Sequence, residues 1–130
     1  MNKKLGNGIK NDQNKIRMDL LSPYALIGTA TVLTYGANKY EDRNWEKGLQ
    51  FSRVFGALLR HLMAFWMGQD IDPETGLSHL DHASCCLMFL QHYKHNGSIY
   101  AKLDDRSINK EIVNTFLDNF LDNKRGFKNE

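Results

Sequence analysis

Apolar residues recur at the three- to four-residue spacing of an α-helix along most of this chain. The clearest stripe consists of Phe51, Phe55, Leu58, Leu62 and Phe65. A helix with one apolar side is stable in a soluble protein when that side is buried against another element. The pattern therefore predicts an all-α fold.

Cap and turn residues divide the chain into four helices. Ser22-Pro23 combines a favoured N-cap with proline at the first helical position, where its missing N–H had no partner. We expect helices over Pro23–Tyr40, Leu49–Met67, Leu77–Lys94 and Ser107–Asp122. Their short connections predict a single domain that resembles a four-helix bundle. Residues 1–21 are then a polar N-terminal arm, 22–122 the helical domain, to which the candidate binding residues described below belong, and 123–130 a charged tail.

The first helix carries a predicted buried stripe of its own. Its members are Leu26, Ala30, Leu33 and Ala37. Because every helix is strongly one-sided and 130 residues allow only a modest core, we expect a homo-oligomer that associates through helix faces.

Composition excludes several classes of function. A net charge of +2 is too small for binding long nucleic acid, although it is compatible with a small anion. No apolar run reaches the roughly 18 residues of a membrane span, and the polar start is not a secretory signal. The adjacent Cys85 and Cys86 are poorly placed to bridge each other, which favours buried structural thiols and a reducing, cytoplasmic setting.

A cluster of ionisable residues lies on the second and third helices and in the turn between them. His79 and His82 are three residues apart, so both rings lie on one side of their helix. The short turn sets the two helices antiparallel, which brings His61 to a similar depth. Imidazole with carboxylate suits Zn, Mn or Fe, whereas Mg prefers oxygen ligands. The candidate ligands of a divalent metal (Mg, Mn or Zn) are His61, Asp72, Glu74, His79 and His82, and the candidate catalytic residues are His61, Asp70 and His79.

Other interpretations of this cluster stay open. The three imidazoles can instead contact a ligand without a metal, or hydrogen-bond buried groups in a purely structural role. Asp72 can be no more than a cap before Pro73. Asp81 is expected to be exposed.

A second group of residues, cationic and aromatic, precedes this cluster. Arginine and lysine clamp phosphates, and aromatic rings offer faces on which a base can stack. The candidate nucleotide-binding residues are Tyr35, Lys39, Tyr40, Arg43, Asn44, Trp45, Arg53 and Arg60. The alternative is a solvated charged loop with Trp45 tucked into the core.

The run LTYGANKYEDRNWEKG, followed by FGALLRHLMAFWMGQDIDPETGLSHLDHASCCLMFL, resembles a family widespread in phage genomes. It is the dATP/dGTP diphosphohydrolase N-terminal-like family, which looks related to the all-α (MazG-like) nucleoside triphosphate pyrophosphohydrolases. The resemblance covers about Met18 to Tyr93. It implies a helical bundle, often oligomeric, that binds deoxynucleotides. In the wider class, E-x-x-E and E-x-x-D pairs hold Mg or Mn, and an activated water cleaves between the α- and β-phosphates.

This chain departs from that wider pattern. The first two expected helices contain no acidic residue, and His79-x-x-His82 stands where E-x-x-D is expected. The leading hypothesis is a metal-dependent (deoxy)nucleoside triphosphate pyrophosphohydrolase. The alternative is a non-catalytic protein that sequesters a cyclic or ADP-ribose-type nucleotide of host immune signalling. A third hypothesis is a helical module that binds a partner and no small molecule.

Overall fold

Helices dominate the computed structural model of this chain, which describes residues 3–106 and 110–121. The helices are α1 (Pro23–Lys39), α2 (Phe51–Trp66), α3 (His79–His95), α4 (Gly97–Tyr100) and α5 (Lys110–Phe116), the last continued by a π-helical turn, Leu117–Leu121. Over the described residues there is no strand, only an isolated bridge between Ile71 and Ser78. The predicted all-α class is confirmed.

The three long helices begin and end within two residues of the predicted bounds. Pro23 opens α1 as expected, and the Ser78 hydroxyl caps α3 by accepting from the N–H groups of Leu80 and Asp81. The predicted fourth helix corresponds to α5, although residues 107–109 and 122 lie outside the described ranges. None of the described helices is long and apolar enough to cross a bilayer.

The core forms where α2 and α4 pack against α3. Phe51 and Val54 of α2 pack with Tyr93 and Tyr100, all of them buried. The Tyr93 hydroxyl donates to the Trp45 carbonyl at 2.6 Å, and the Tyr100 hydroxyl donates to the Glu46 carbonyl at 2.7 Å. These two bonds fix the loop between α1 and α2 against the core.

Helix α1 packs on α3 through a different side from the predicted one. Leu26 and Ala30 are exposed, while Gly28 is buried, so the predicted stripe is wrong in its first half. A Cβ atom at position 28 would lie 2.1 Å from Oδ1 of Asp81. The backbones approach closely because glycine stands here, and Asp81 is therefore partly buried rather than exposed, which corrects a second expectation.

Helix α5 does not complete a bundle in the way a fourth helix would. Its apolar residues Ile112, Phe116, Leu117 and Phe120 are all exposed, and none of them belongs to the core. The packed body of the described chain is thus formed by α1, α2 and α3, with α3 in the middle and Tyr100 of α4 completing the core.

Candidate metal centre and adjoining cavity

The loop between α2 and α3 folds back on itself and sets the two helices antiparallel. α2 ends in a Schellman motif in which Gly68, at φ +101°, donates to the Phe65 carbonyl, and the N–H of Gln69 reaches the Ala64 carbonyl. The loop then closes when the N–H of Asp72 donates to the Leu77 carbonyl at 2.8 Å. Asp72 is consequently held above the facing sides of α2 and α3.

His61, Asp72 and His79 meet beneath this loop. Nδ1 of His61 lies 2.9 Å from Nδ1 of His79 and 3.9 Å from Oδ2 of Asp72. One potential ligand atom from each residue falls within 4.8 Å of the others. All three side chains are largely shielded, since His79 is 5% exposed and the side chains of His61 and Asp72 are 18% and 14% exposed. The predicted convergence of the imidazoles is thereby confirmed for this group, which we call the His–Asp–His cluster.

Gln69 fixes the tautomer of the buried histidine. Nε2–H of His79 donates to Oε1 of Gln69 at 2.8 Å, so Nδ1 of His79 carries a lone pair toward His61. Burial lowers the pKa of His61, and the neighbouring His82 adds to the effect. Neutral imidazole is the form that binds metals, and a hydrogen bond to the outer ring nitrogen is the usual way to orient such a ligand.

His82 adjoins the His–Asp–His cluster without joining it. Its ring stacks on His61 with centroids 4.5 Å apart and planes 5° from parallel. Its Nε2 is engaged by Oγ1 of Thr75 at 2.7 Å. Burial is also the main reason why the pKa of His82 is lowered.

Asp72 caps the loop through one carboxylate oxygen and faces the His–Asp–His cluster with the other. Oδ1 accepts from the N–H of Glu74 at 2.8 Å, while Oδ2 faces His61. The capping and ligand interpretations of this residue are therefore compatible. Asp70 and Glu74 are exposed and lie outside the cluster, and Asp70 contributes a backbone carbonyl to the N–H of His79. A catalytic Asp70 and a metal-binding Glu74 stay predictions.

A cavity of about 540 Å³ opens beside His82, between α1, α3 and the loop that follows α1. Ligand pockets for molecules of nucleotide size fall in this range of volumes. Five of the predicted nucleotide-binding residues line the cavity: Tyr35, Tyr40, Arg43, Asn44 and Trp45. Leu33 and Phe89 are among its apolar lining.

Trp45 is mainly a core residue. Its ring stacks on Phe89 with centroids 4.9 Å apart, and the edge of His92 meets it at 4.7 Å. Both contacts belong to the interior, so the alternative interpretation of Trp45 applies. Tyr40 has the exposed ring at this cavity, with Nζ of Lys39 5.4 Å from the ring centroid.

The predicted cations do not form a single phosphate clamp. Arg43 is paired with Glu46 at 2.9 Å, and Lys39 lies outside both cavities. Arg53 and Arg60 line a second cavity of about 390 Å³ on the other side of a wall. Leu49, Cys86 and Phe89 line both cavities and form that wall.

Sequence reasoning missed Gln69 and Thr75, which orient His79 and His82. Both lie in the turn between α2 and α3, which contains Pro73 and Gly76. Nothing in their spacing distinguishes them from other polar loop residues, because the direction of their side chains depends on how the loop folds.

Fold and site together define a protein, all-helical over the described residues, in which a largely shielded cluster of two histidines and one carboxylate is linked through His82 to a cavity of about 540 Å³. The chain belongs to the family described as dATP/dGTP diphosphohydrolase, N-terminal, which matches residues 6–106.

A protein of Salmonella phage PMBT28 named dATP/dGTP diphosphohydrolase is 41% identical to this chain over 83 residues. The similarity covers 64% of this chain and 28% of that protein, so the matched part is little more than a quarter of the relative. No solved structure matches the chain.

Proposed function

We propose that this chain is a metal-dependent (deoxy)nucleoside triphosphate pyrophosphohydrolase, which converts a dNTP and water to a dNMP and pyrophosphate. The observation that carries the proposal is the His–Asp–His cluster, whose ligand atoms lie within 4.8 Å of one another. The name of the phage relative supports this class of reaction.

The residues present fit a divalent transition metal ion. Two neutral imidazoles and one carboxylate are the donor set of many Zn, Mn and Fe sites, and three protein ligands leave coordination positions open for substrate. Gln69 already holds His79 with a ring nitrogen directed into the cluster. Magnesium, which prefers oxygen ligands, suits this donor set less well, so we expect Mn²⁺ or Zn²⁺ to bind more tightly.

In the reaction, a water oxygen bonds to the α-phosphorus, the bond from that phosphorus to the bridging oxygen breaks, and a proton leaves to solvent. A bound divalent ion would supply positive charge against the phosphates and acidify the water. The 540 Å³ cavity would take the base and sugar, with Tyr40 as the exposed ring for stacking. His82 lies between cavity and cluster, and Thr75 holds its orientation.

A second candidate function is sequestration of an intact nucleotide, such as a cyclic or ADP-ribose-type signal of host immunity. It is favoured by the absence of acidic residues from α1 and α2. Asp72 is the one carboxylate of the His–Asp–His cluster, whereas the wider pyrophosphohydrolase class uses several. A nucleotide cavity needs no such carboxylates to bind.

The proposed partners are a small-molecule nucleotide and further copies of the chain, without long nucleic acid or membrane. The proposed place of action is the cytoplasm of a phage host, where nucleotide pools are found.

The test is a panel of dNTPs incubated with the protein and Mn²⁺, Zn²⁺ or Mg²⁺, with release of dNMP and pyrophosphate measured. We expect turnover that His79→Ala abolishes and His95→Ala preserves, because His95 is exposed at the far end of the same helix. Absence of turnover with every dNTP, together with a thermal shift on adding an intact nucleotide, would favour sequestration. Absence of both effects would overturn both functions.

A further inference from the structure

The smaller cavity, of about 390 Å³, differs in charge from the larger one. Arg53 and Arg60 give its lining two positive charges, and no acidic residue belongs to that lining. The larger cavity, by contrast, has Glu41 and Asp42 beside Arg43. A cleft with charges of one sign and walls of low dielectric constant concentrates ions of the opposite sign. The smaller cavity is therefore suited to an anion.

The two arginines of this cavity have free guanidinium groups. Within residues 3–106 and 110–121, neither guanidinium forms an ion pair or a hydrogen bond. The other arginines of these ranges, Arg17, Arg43 and Arg106, each pair with a carboxylate at 2.7 to 2.9 Å. A guanidinium presents a planar fork of donors that matches the oxygens of a phosphate. Both forks of the cavity are thus available to a phosphate from outside the chain.

Arg53 and Arg60 lie on the same side of α2. They are seven residues apart, almost two full turns, so their Cα atoms are separated by about 10.5 Å along the helix axis. Gly56 and Ala57 stand between them, each about one turn from either arginine. Because these two residues are small, the space between the two cations stays open.

Gly56 lets the side chain of Arg60 lie back along the helix. A Cβ atom at position 56 would lie 3.2 Å from Nη1 of Arg60, and it would meet nothing else within 4 Å beyond the helix backbone. The guanidinium of Arg60 therefore reaches about one turn back toward Arg53. Glycine is a poor residue inside a helix, so its presence here calls for a reason. The room that it gives to Arg60 is such a reason.

The surroundings of the arginines leave their charge uncompensated. Leu49 and Phe89 form apolar wall and are partly buried against the core. Burial raises the pKa of Cys86 in the same wall, and the positive charge of Arg60 acts in the opposite direction. Asp105 contacts Ser52 of the lining, but its carboxylate oxygens already accept from the N–H and the hydroxyl of Ser52.

We propose that the smaller cavity binds an oligophosphate chain, with Arg53 and Arg60 each holding a different phosphate group. An elongated anion fits better than a single phosphate ion, because the two guanidiniums are spread along the helix. Pyrophosphate is the smallest such anion. The chain can be free or the tail of a larger molecule. This site requires no metal and does not use the His–Asp–His cluster.

The test is calorimetric titration of the full chain with pyrophosphate in a buffer that contains a metal chelator. We expect one pyrophosphate to bind per chain. Orthophosphate should bind at least tenfold more weakly, because it meets only one guanidinium and loses the charge-assisted hydrogen bonds of the other. A nucleoside diphosphate distinguishes the two sources of the chain. Affinity equal to that of pyrophosphate identifies a free chain, and tighter binding identifies the tail of a larger molecule.

Variants locate the binding at this cavity. Arg53→Gln and Arg60→Gln should each weaken pyrophosphate binding at least tenfold. Arg17→Gln removes the same charge outside both cavities and should leave the affinity unchanged. Gly56→Leu should also weaken binding at least tenfold, because the new side chain takes the place of the Arg60 guanidinium. Its resistance to urea should not fall, since leucine is the better helix former.

Two results would overturn the proposal. The first is a lack of saturable pyrophosphate binding by the wild type without metal. The second is a loss of affinity in Arg17→Gln as large as in the two cavity variants, which would show that net charge alone attracts the anion. Neither metal nor turnover enters these measurements, so they are independent of whether the proposed hydrolysis takes place.

Discussion

At the scale of single residues, the orientation of His79 in the candidate metal centre depends on Gln69, which is not itself a candidate ligand. Gln69 accepts from Nε2 of His79 and so keeps Nδ1 directed into the cluster. Removing a partner of this kind typically weakens metal binding 10- to 100-fold. We therefore expect Gln69→Ala to reduce the affinity for Mn²⁺ or Zn²⁺ by about that factor in calorimetric titration.

Two comparisons make this prediction specific. Gln69→Glu keeps an acceptor at the same place and should retain tight binding. Gln91→Ala removes an exposed glutamine on α3 and should change nothing. Equal affinity in Gln69→Ala and the wild type would show that the hydrogen bond to His79 has no influence on the ligand.

Gly28 tests the close approach of α1 to α3. Gly28→Ala forces Asp81 to move, since the new Cβ would lie 2.1 Å from its carboxylate oxygen. We expect the free energy of unfolding in urea to fall by about 1–3 kcal/mol, as for other overpacked sites. Gly36→Ala is the matched control, because nothing lies within 4 Å of the added Cβ in the same helix. That control should be stabilising, by up to about 1 kcal/mol, and a loss of stability equal to that of Gly28→Ala would contradict the assignment.

The two cysteines should differ in reactivity. Cys85 is 2% exposed, and burial raises its pKa to about 12, so its thiolate is nearly absent at pH 8. In the native protein at pH 8 a disulfide reagent should leave Cys85 unmodified, and denaturation should release it. Cys86 is partly buried and lines both cavities, so any native reaction should occur there. Labelling of native Cys85, located by peptide mass, would contradict its placement.

Residue spacing predicted the meeting of His61 with His79 because two ordinary rules apply to it. Residues three or four apart share a helix face, and a short connection sets helices antiparallel. The same rules could not place Gln69, because the direction of its side chain depends on the conformation of Gly68 and on the backbone hydrogen bonds that close the loop. They also failed for Asp81, because periodicity does not reveal that Gly28 lets α1 come close.

At the scale of elements, cap and stop residues located the helices well but not the faces they bury. Pro23 marks the start of α1 through local chemistry, which is present in the sequence itself. The buried side of α1 is different, since it depends on which neighbour the helix meets. α1 packs on α3 at Gly28 and Thr29, where the Thr29 and Ser84 hydroxyls share a hydrogen bond of 2.6 Å.

The start of α2 relies on a distant residue for its cap. Gln50 provides no side-chain hydrogen bond, and Asp105 instead accepts from the backbone N–H and the hydroxyl of Ser52. Hydrogen bonds from Ser52 lower the pKa of Asp105. A carboxyl with a lowered folded-state pKa stabilises the fold above its unfolded-state pKa, and the effect is lost as pH falls through the folded-state pKa.

We therefore expect Asp105→Ala to lower the urea midpoint at pH 7 and to lose that difference in acid, below the folded-state pKa. Asp19→Ala provides the comparison, because Asp19 forms only an exposed pair with Arg17 in the N-terminal arm. A deficit in Asp105→Ala that persists unchanged through the acid range would show that the carboxylate is not the cap.

At the scale of the whole molecule, two helices of the described chain have exposed apolar sides. One is α2, at residues such as Leu59 and Trp66, and the other is α5. The sequence predicted association through helix faces but could not say which face, because a stripe that packs inward and one that packs on a partner have the same periodicity. α2 has a buried apolar side at Phe51 and Val54 and an exposed apolar side at Leu59 and Trp66.

The two cavities share a wall, and the larger one adjoins the candidate metal centre. The larger one adjoins the His–Asp–His cluster through His82, and the smaller one lies beyond the wall of Leu49, Cys86 and Phe89. The sequence identified five of the residues at the larger cavity as candidate nucleotide contacts. The sequence could not show that Arg53 and Arg60 line the smaller cavity instead, because the wall between the cavities is built from side chains of several elements.

The central claim is that His61, Asp72 and His79 together hold one divalent transition metal ion. Native mass spectrometry of the full chain, after incubation with Mn²⁺ or Zn²⁺ and removal of the excess, tests it most directly. We expect one ion per chain in the wild type and His95→Ala, and none in His61→Ala, Asp72→Asn or His79→Ala. A metal-free wild type, or metal retained equally by the three cluster variants, would contradict the account.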